Sequence, residues 1–154
     1  MSTPSTDRPR IVVGVDGSAH SEEALRWAAR LARAEGATID VVAVWDLPAT
    51  SYAWGAVAGG YVVPEQMPEE QLRDFTNSVV DSVLGEDRPE TTVTLIAANP
   101  AQALLDRSEG ALMVVVGSRG RGGFTGLLLG SVSQTVSSHA KVPVLVVHAP
   151  ENQA

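Results

Sequence analysis

The sequence contains no cysteine and a single lysine, Lys141. Without cysteine, the chain can form neither disulfides nor a thiolate metal site, and it has no cysteine nucleophile. A Walker A loop is excluded as well, because its Gly-Lys-Ser/Thr sequence occurs nowhere in the chain. No apolar run reaches the roughly 18 residues that a membrane-spanning helix needs. We therefore expect no membrane partner.

Positive charge is also scarce, since the formal net charge is −7. Nucleic-acid binding depends on the neutralisation of phosphates by lysine and arginine, so we expect no nucleic-acid partner. The first ten residues lack the apolar core of a signal peptide, which favours a cytoplasmic location. The histidines His20, His139 and His148 have no spacing that suggests a shared metal or a catalytic triad.

The 154 residues, 44% of them hydrophobic, suit one ordinary domain. We expect a flexible tail at 1–9, a folded domain at 10–149 and a second tail at 150–154. Apolar, β-branched segments alternate with segments at helical spacing, which predicts a parallel sheet with helices on both faces. The predicted strands are 10–16, 38–45, 91–97, 112–116 and 142–148, and the predicted helices are 18–35 or 21–35, 68–84, 101–108 and 131–139.

Residues 47–64 have no sustained periodicity. A loop of this length is uncommon and is usually functional or disordered. The aromatic residues Tyr52, Trp54 and Tyr61 cover a ligand or partner in one interpretation and pack locally in the other, to which we give more weight.

A glycine-rich stretch at 117–131 follows the apolar run 112–116, which suits a strand buried on both faces. A helix-like segment then begins at Gly130-Ser131. Chains hold phosphates with this order of elements, because glycines let the backbone approach and the free N–H groups of a helix start attract anions. The stretch does not fit the Rossmann fingerprint. It predicts an anion site, and the alternative is an empty surface loop.

The spacing Gly117-x2-Gly120-x9-Gly130-Ser131 resembles the ATP-binding signature of the universal stress protein family. The segments 12–18 and 142–147 also resemble that family, so the resemblance covers nearly the whole chain. It implies a single-domain α/β fold of the adenine nucleotide alpha hydrolase-like, Rossmann-like type, with five strands in the order 3-2-1-4-5. In that order the loops after strands one and four face each other, where ligands of such sheets bind.

The resemblance also implies roles for single residues. The family's counterpart of Asp16 lies beside the adenosine and the phosphate-bound metal, although Asp16 alone also suits a turn. Val44 matches a residue whose backbone contacts the adenine edge, although it suits plain core equally well. Arg119 and Arg121 could reach phosphate charge, and Arg121 is as well explained by solvation. The expected nucleotide-binding set is Gly14, Val15, Asp16, Val44, Gly117, Ser118, Arg119, Gly120, Gly130, Ser131, Val132 and Ser133.

The implied cofactor is ATP, and Mg²⁺ or Mn²⁺ would arrive with its phosphates, because no His/Asp/Glu cluster in the sequence supports a separate metal site. No base to activate water and no loop lysine are evident, so we expect slow ATP hydrolysis at most and assign no catalytic residue.

The last predicted strand, 142–148, implies a partner. Its apolar edge would favour aggregation if it were left open. Family members pair this strand with its copy across a two-fold axis, which implies a homodimer. The alternative to a nucleotide-dependent stress or signalling module is a dimeric interaction protein of the same fold whose glycine loop is empty.

Overall fold

The computed structural model describes residues 8–45, 68–120 and 129–150. The predicted loop 47–64, Arg121 and most of both predicted tails lie outside the described residues. Within the described ranges, strands and helices alternate along the chain. They are β1 (Arg10–Gly14), α1 (Ala19–Glu35), β2 (Thr38–Trp45), α2 (Glu69–Leu84), β3 (Thr91–Ala97), α3 (Pro100–Ser108), β4 (Met113–Gly117), α4 (Ser131–His139) and β5 (Val144–Val147).

The strands form one parallel sheet in the order β3-β2-β1-β4-β5, so the predicted order is confirmed. β1 lies at the centre, and Val13 is in register with Val41 of β2 and Val115 of β4. The strand order reverses between β1 and β4. The chain segments that follow these two strands therefore begin side by side at the carboxyl edge of the sheet.

Helices cover both faces of the sheet, as predicted. Neighbouring residues of the central strand point to opposite faces, because side chains alternate along a strand. Val13 packs with Leu25 of α1 and Val80 of α2 on one face, whereas Val12 packs with residues of α3 and α4 on the other. Burial on both faces explains why the sequence of β1 is continuously apolar rather than alternating.

Two residues, Ser18 and Ser21, were predicted as possible caps of α1, and the structure shows that Ser18 is the cap. The Ser18 side chain accepts a hydrogen bond from the Ser21 N–H at 3.3 Å. Gly36 ends the helix in the left-handed region, with φ of 64°. This start fixes the direction in which α1 leaves the carboxyl edge of β1.

Some predicted boundaries are wrong by one or two residues. β1 ends at Gly14 and not at residue 16, because the Asp16 N–H turns to Ser21 Oγ at 3.3 Å. β5 covers 144–147 and not 142–148. Pro143 precedes β5, and its carbonyl accepts a hydrogen bond from Val114 N–H at 3.0 Å. β4 is shifted to 113–117, and α3 begins at Pro100 after the Asn99 cap.

A buried ionic group connects the sheet to α3. Asp40, in the otherwise apolar β2, is 1% exposed. Arg107 donates to Asp40 Oδ2 from Nε at 2.9 Å and from Nη2 at 2.6 Å. Thr94 Oγ1 donates to Asp40 Oδ1 at 2.7 Å. The carboxylate is therefore paired and hydrogen-bonded, as a buried charge must be.

Candidate functional site

A cavity of about 370 Å³ opens at the carboxyl edge of the sheet, between the ends of β1 and β4. This is the place where parallel α/β sheets bind ligands, and the volume is in the range of small-molecule sites. All of the predicted site residues except Ser118 line the cavity: Gly14, Val15, Asp16, Val44, Gly117, Arg119, Gly120, Gly130, Ser131, Val132 and Ser133. The structure brings these residues together, and their contact with a nucleotide stays a prediction.

Several lining residues were not predicted. They are Ser21, Val42, Pro100, Leu104 and Val116. The period of two in β2 places Val42 on the face that carries Val44, so the strand pattern could have indicated it. Leu104 lies four residues after Pro100 in α3, and helical spacing places both on one face.

One half of the cavity is apolar. Val42, Val44, Val116 and Leu104 belong to the core cluster beneath α3 and α4 and continue into the cavity wall. Leu104 lies directly over Gly14: a Cβ atom built there would be 3.1 Å from Leu104 Cδ1. This half can accept a flat apolar group.

The other half is polar and is built from the two loops. Asp16 is exposed, and its Oδ1 accepts a hydrogen bond from the Ser18 N–H at 2.9 Å. The backbone of the glycine loop lies close to this carboxylate, since a Cβ atom built on Gly120 would be 2.7 Å from Asp16 Oδ2. Arg119 and Ser131 complete this part of the wall.

The glycine at position 117 serves packing. A Cβ atom there would lie 2.7 Å from the carbonyl carbon of His20 and 2.9 Å from its carbonyl oxygen. Such distances are too short for a side chain, so the end of β4 packs directly on the first turn of α1. Gly130 differs, because a Cβ atom there would meet its nearest neighbour, Arg119 Cα, at an ordinary 3.5 Å.

Ser118 is buried behind the cavity and closes the glycine loop. Its N–H donates to the Val147 carbonyl at 2.7 Å, and its own carbonyl accepts from Gly130 N–H at 2.7 Å. Ser133 Oγ donates to the same carbonyl at 3.0 Å. Among the described residues, no side chain caps the start of α4. Its first-turn N–H groups lie at the cavity, where they favour an anion.

His20 is the residue near the site that sequence analysis missed. Ser118 Oγ lies 3.2 Å from its Nδ1, and the Ala149 N–H donates to the same atom at 2.9 Å. Burial, the Arg119 guanidinium and His148 lower the pKa of His20 from 6.5, while Asp16 raises it. The sequence holds only a weak signal for His20, its place two residues after the Ser18 cap.

Metal ligands are not grouped in the part of the chain that the structure describes: no set of three or more His, Cys, Asp or Glu is placed to hold an ion. In the same ranges no helix has the length and hydropathy required to span a membrane.

The family profile described as the universal stress protein family matches residues 8–148. The chain belongs to the universal stress protein family. Among its curated relatives, a universal stress protein of Mycolicibacterium smegmatis is 37% identical over 145 residues, which cover 94% of this chain and 49% of that protein. This family member spans about half the length of the curated relatives that it matches.

Solved structures of the family share the fold. One is a universal stress protein in complex with cAMP, with 25% identity, a TM-score of 0.60 and coverage of 93% of this chain and 98% of that chain. Another is the universal stress protein UspA from Lactobacillus plantarum, with 19% identity, a TM-score of 0.69 and coverage of 92% and 99%. The Rossmann-like architecture predicted for this family member is therefore confirmed.

Proposed function

We propose that the chain binds an adenine nucleotide, ATP with its accompanying Mg²⁺ or Mn²⁺, in the cavity between β1 and β4 and acts as a nucleotide-dependent stress-response module. The observation that carries the proposal is the division of this cavity into an apolar half and a polar half. The cAMP complex of a family member with this fold supports an adenine nucleotide as the ligand class. The glycine spacing supports ATP within that class.

The apolar half suits the adenine ring. Val42, Val44 and Leu104 offer aliphatic contacts, and the lack of a side chain at Gly14 lets Leu104 pack closely on the end of β1. We expect the edge of the adenine ring to be recognised by main-chain groups. The expected contact is the backbone of Val44, near the end of β2. The ring would gain the free energy of apolar burial here, about 25 cal/mol per Å² of apolar surface.

The polar half suits the ribose and the phosphates. The uncapped start of α4 and the Arg119 guanidinium favour negative charge, and the Ser131 hydroxyl adds a hydrogen-bonding group. A metal that arrives with the triphosphate would neutralise phosphate charge. Asp16 is the carboxylate placed to accept hydrogen bonds from its water ligands or from a ribose hydroxyl.

We propose binding rather than fast turnover as the activity. The glycine loop 117–131 contains no lysine, and the described residues that line the cavity include no histidine. Fast phosphoryl transfer lacks its usual parts, so slow hydrolysis by positioning alone is the upper limit.

A second copy of the chain is the proposed protein partner. Among the described residues, β5 has only β4 as its neighbour in the sheet, so we expect its other edge to pair with the second copy. The curated relatives are about twice as long as the chain, which is consistent with two such units acting together. We propose the cytoplasm as the location.

The test is to denature freshly purified protein and to quantify the released nucleotide by chromatography, followed by calorimetric titration with Mg-ATP. A Gly120→Val variant places its side chain against Asp16 and should lose binding, while Ser137→Val on the exposed face of α4 is the matched control and should keep it. If neither the parent nor the control binds Mg-ATP at about millimolar concentration, the ATP proposal is wrong. The empty-loop interaction protein is then the better account.

A further inference from the structure

His20 lies beside the proposed nucleotide site without lining it. It is the second residue of α1, and its backbone packs against Gly117 at the end of β4. The side chain therefore reaches the rear of the glycine loop, on the side away from the cavity wall formed by Arg119 and Gly120.

The hydrogen bonds of His20 define its protonation state. A backbone N–H can only donate, so the bond from Ala149 N–H at 2.9 Å requires an unprotonated Nδ1. The ring then carries its hydrogen on Nε2. The Ser118 hydroxyl, 3.2 Å from Nδ1, is left to donate to the same atom.

Of the two groups that His20 contacts, Ser118 links the end of β4 to the end of β5 and to the start of α4. Ser118 is bonded to the Val147 carbonyl at the end of β5 and to the Gly130 N–H at the start of α4, each at 2.7 Å. Gly130 lines the cavity where we expect the phosphates. What fixes Ser118 therefore also fixes the anion-binding end of α4.

We propose that neutral His20 is a positioning residue for the start of α4, which it holds through the contacts of Nδ1 with Ser118 and Ala149 and loosens when it is protonated. The proposal rests on the proposed function, since nucleotide binding is what the position of Ser118 and Gly130 serves. Protonation places a hydrogen on Nδ1 that points at the Ala149 N–H. The hydrogen bond from the Ala149 N–H is then lost, and the Ser118 contact reverses, with Nδ1–H donating to the hydroxyl oxygen. The position of Ser118 changes as a result, and acid weakens nucleotide binding.

Partial burial and the charges that face His20 together favour its neutral form. Burial disfavours a positive ring most, Arg119 after β4 and His148 after β5 also repel it, and Asp16 after β1 attracts it. The combined effect is a pKa below the ordinary 6.5. A phosphate bound near Arg119 would weaken that repulsion and favour the protonated ring. This electrostatic effect alone would make acid strengthen binding, so the proposal requires the disrupted hydrogen bonds of Nδ1 to outweigh it.

The experiment compares the affinity for Mg-ATP at about pH 7.5 and about pH 5.5 in the parent and three variants. In His20→Asn the side-chain oxygen can take the place of the Nδ1 acceptor and does not titrate, whereas His20→Ala has no acceptor. His139→Asn changes an exposed histidine at the end of α4 and is the matched control.

We expect acid to weaken the parent and the control about fivefold more than His20→Asn, the order of one or two net hydrogen bonds. His20→Ala should be weak at both pH values, and His20→Asn should recover affinity relative to it. ATP itself titrates in this range, but it does so equally for every variant. Comparison of the variants therefore removes its contribution to the pH dependence of the affinity. If the parent and His20→Asn have the same pH profile, or if the parent binds more tightly than His20→Asn in acid, the proposal is overturned.

NMR of the nucleotide-free protein separates this proposal from the proposed function. The amide signals of Ala149 and Gly130 should shift with the titration of the His20 ring in the parent and stay constant in His20→Asn. If these signals titrate while Mg-ATP binds to no variant, the proposed function fails and the positioning by His20 stands. If Mg-ATP binds and the signals do not titrate, the positioning role is wrong.

Discussion

Replacement of Gly117 by alanine should destabilise the fold, although it adds only one methyl group. That methyl would lie 2.7, 2.8 and 2.9 Å from the carbonyl carbon, the Cβ and the carbonyl oxygen of His20. Non-bonded carbon atoms prefer about 3.5–4.0 Å, so α1 and β4 would have to separate by about 1 Å. The obstacle is largely backbone, which cannot rotate away.

The expected cost follows from the rigidity of both elements. β4 is bonded between β1 and β5, and the start of α1 is fixed by the Ser18 cap. Overpacking at such sites costs about 1–3 kcal/mol, and we expect a loss of about 2 kcal/mol from the free energy of unfolding. For a domain of this size the melting temperature should fall by about 4–8 °C.

Gly130→Ala is the matched comparison, because its methyl group meets an ordinary contact of 3.5 Å. The backbone there has a φ of −75°, which any residue adopts. Loss of a favourable cap residue should cost less than about 1 kcal/mol. Since Gly130 lines the cavity, the same methyl should weaken Mg-ATP binding by about tenfold, or about 1.4 kcal/mol.

Urea unfolding followed by circular dichroism measures the two stabilities, and calorimetry measures the affinity. Gly117→Ala should have the lower midpoint with an unchanged m value. If both variants unfold at the same urea concentration, close packing of β4 on α1 is not what requires the glycine at 117, and the argument from distances is refuted.

Two further predictions concern the buried ion pair and the sheet edge. Arg107→Met leaves Asp40 buried without its partner and should lower the free energy of unfolding in urea by about 2 kcal/mol. This is less than the usual loss of about 3–5 kcal/mol, because the Arg107 side chain is 39% exposed. The control Arg88→Met breaks a surface pair with Asp81 and should lower it by less than about 1 kcal/mol. Equal losses would show that burial of Asp40 is unimportant. Light scattering of the pure protein at about micromolar concentration should give twice the 16.1 kDa of one chain, and a monomeric mass would contradict pairing through β5.

Local patterns predicted the elements of this fold better than their ends. Continuous apolar runs such as that of β1 identified strands buried on both faces, and glycine at 36 marked the end of α1. The end of β1 depends instead on the bond between Asp16 N–H and Ser21 Oγ, which periodicity does not reveal. The strand order came from the family resemblance, since pairing between strands is not encoded in a local period.

The cavity residues were largely predictable because they follow strand ends or belong to the glycine spacing. Val42 and Leu104 were missed, although the periods of their strand and helix place them beside Val44 and Pro100. Asp40 could not have been paired with Arg107 from the sequence, because 67 positions separate them and many other arginine partners were possible. Long-range side-chain pairs of this kind require the fold to be known first.

The contacts of His20 could not be predicted from the sequence. Its partners Ser118 and Ala149 lie 98 and 129 positions away, and only the order β1-β4-β5 brings the segments after these strands together. The strand order that creates the cavity also brings together the segments that follow β1, β4 and β5, where His20, Ser118 and Ala149 are in contact. We therefore expect a change at the end of β5 to affect, through Ser118, the part of the cavity where we propose that the phosphates bind. This is why the affinity of the His20 variants, and not only their stability, is the quantity to measure.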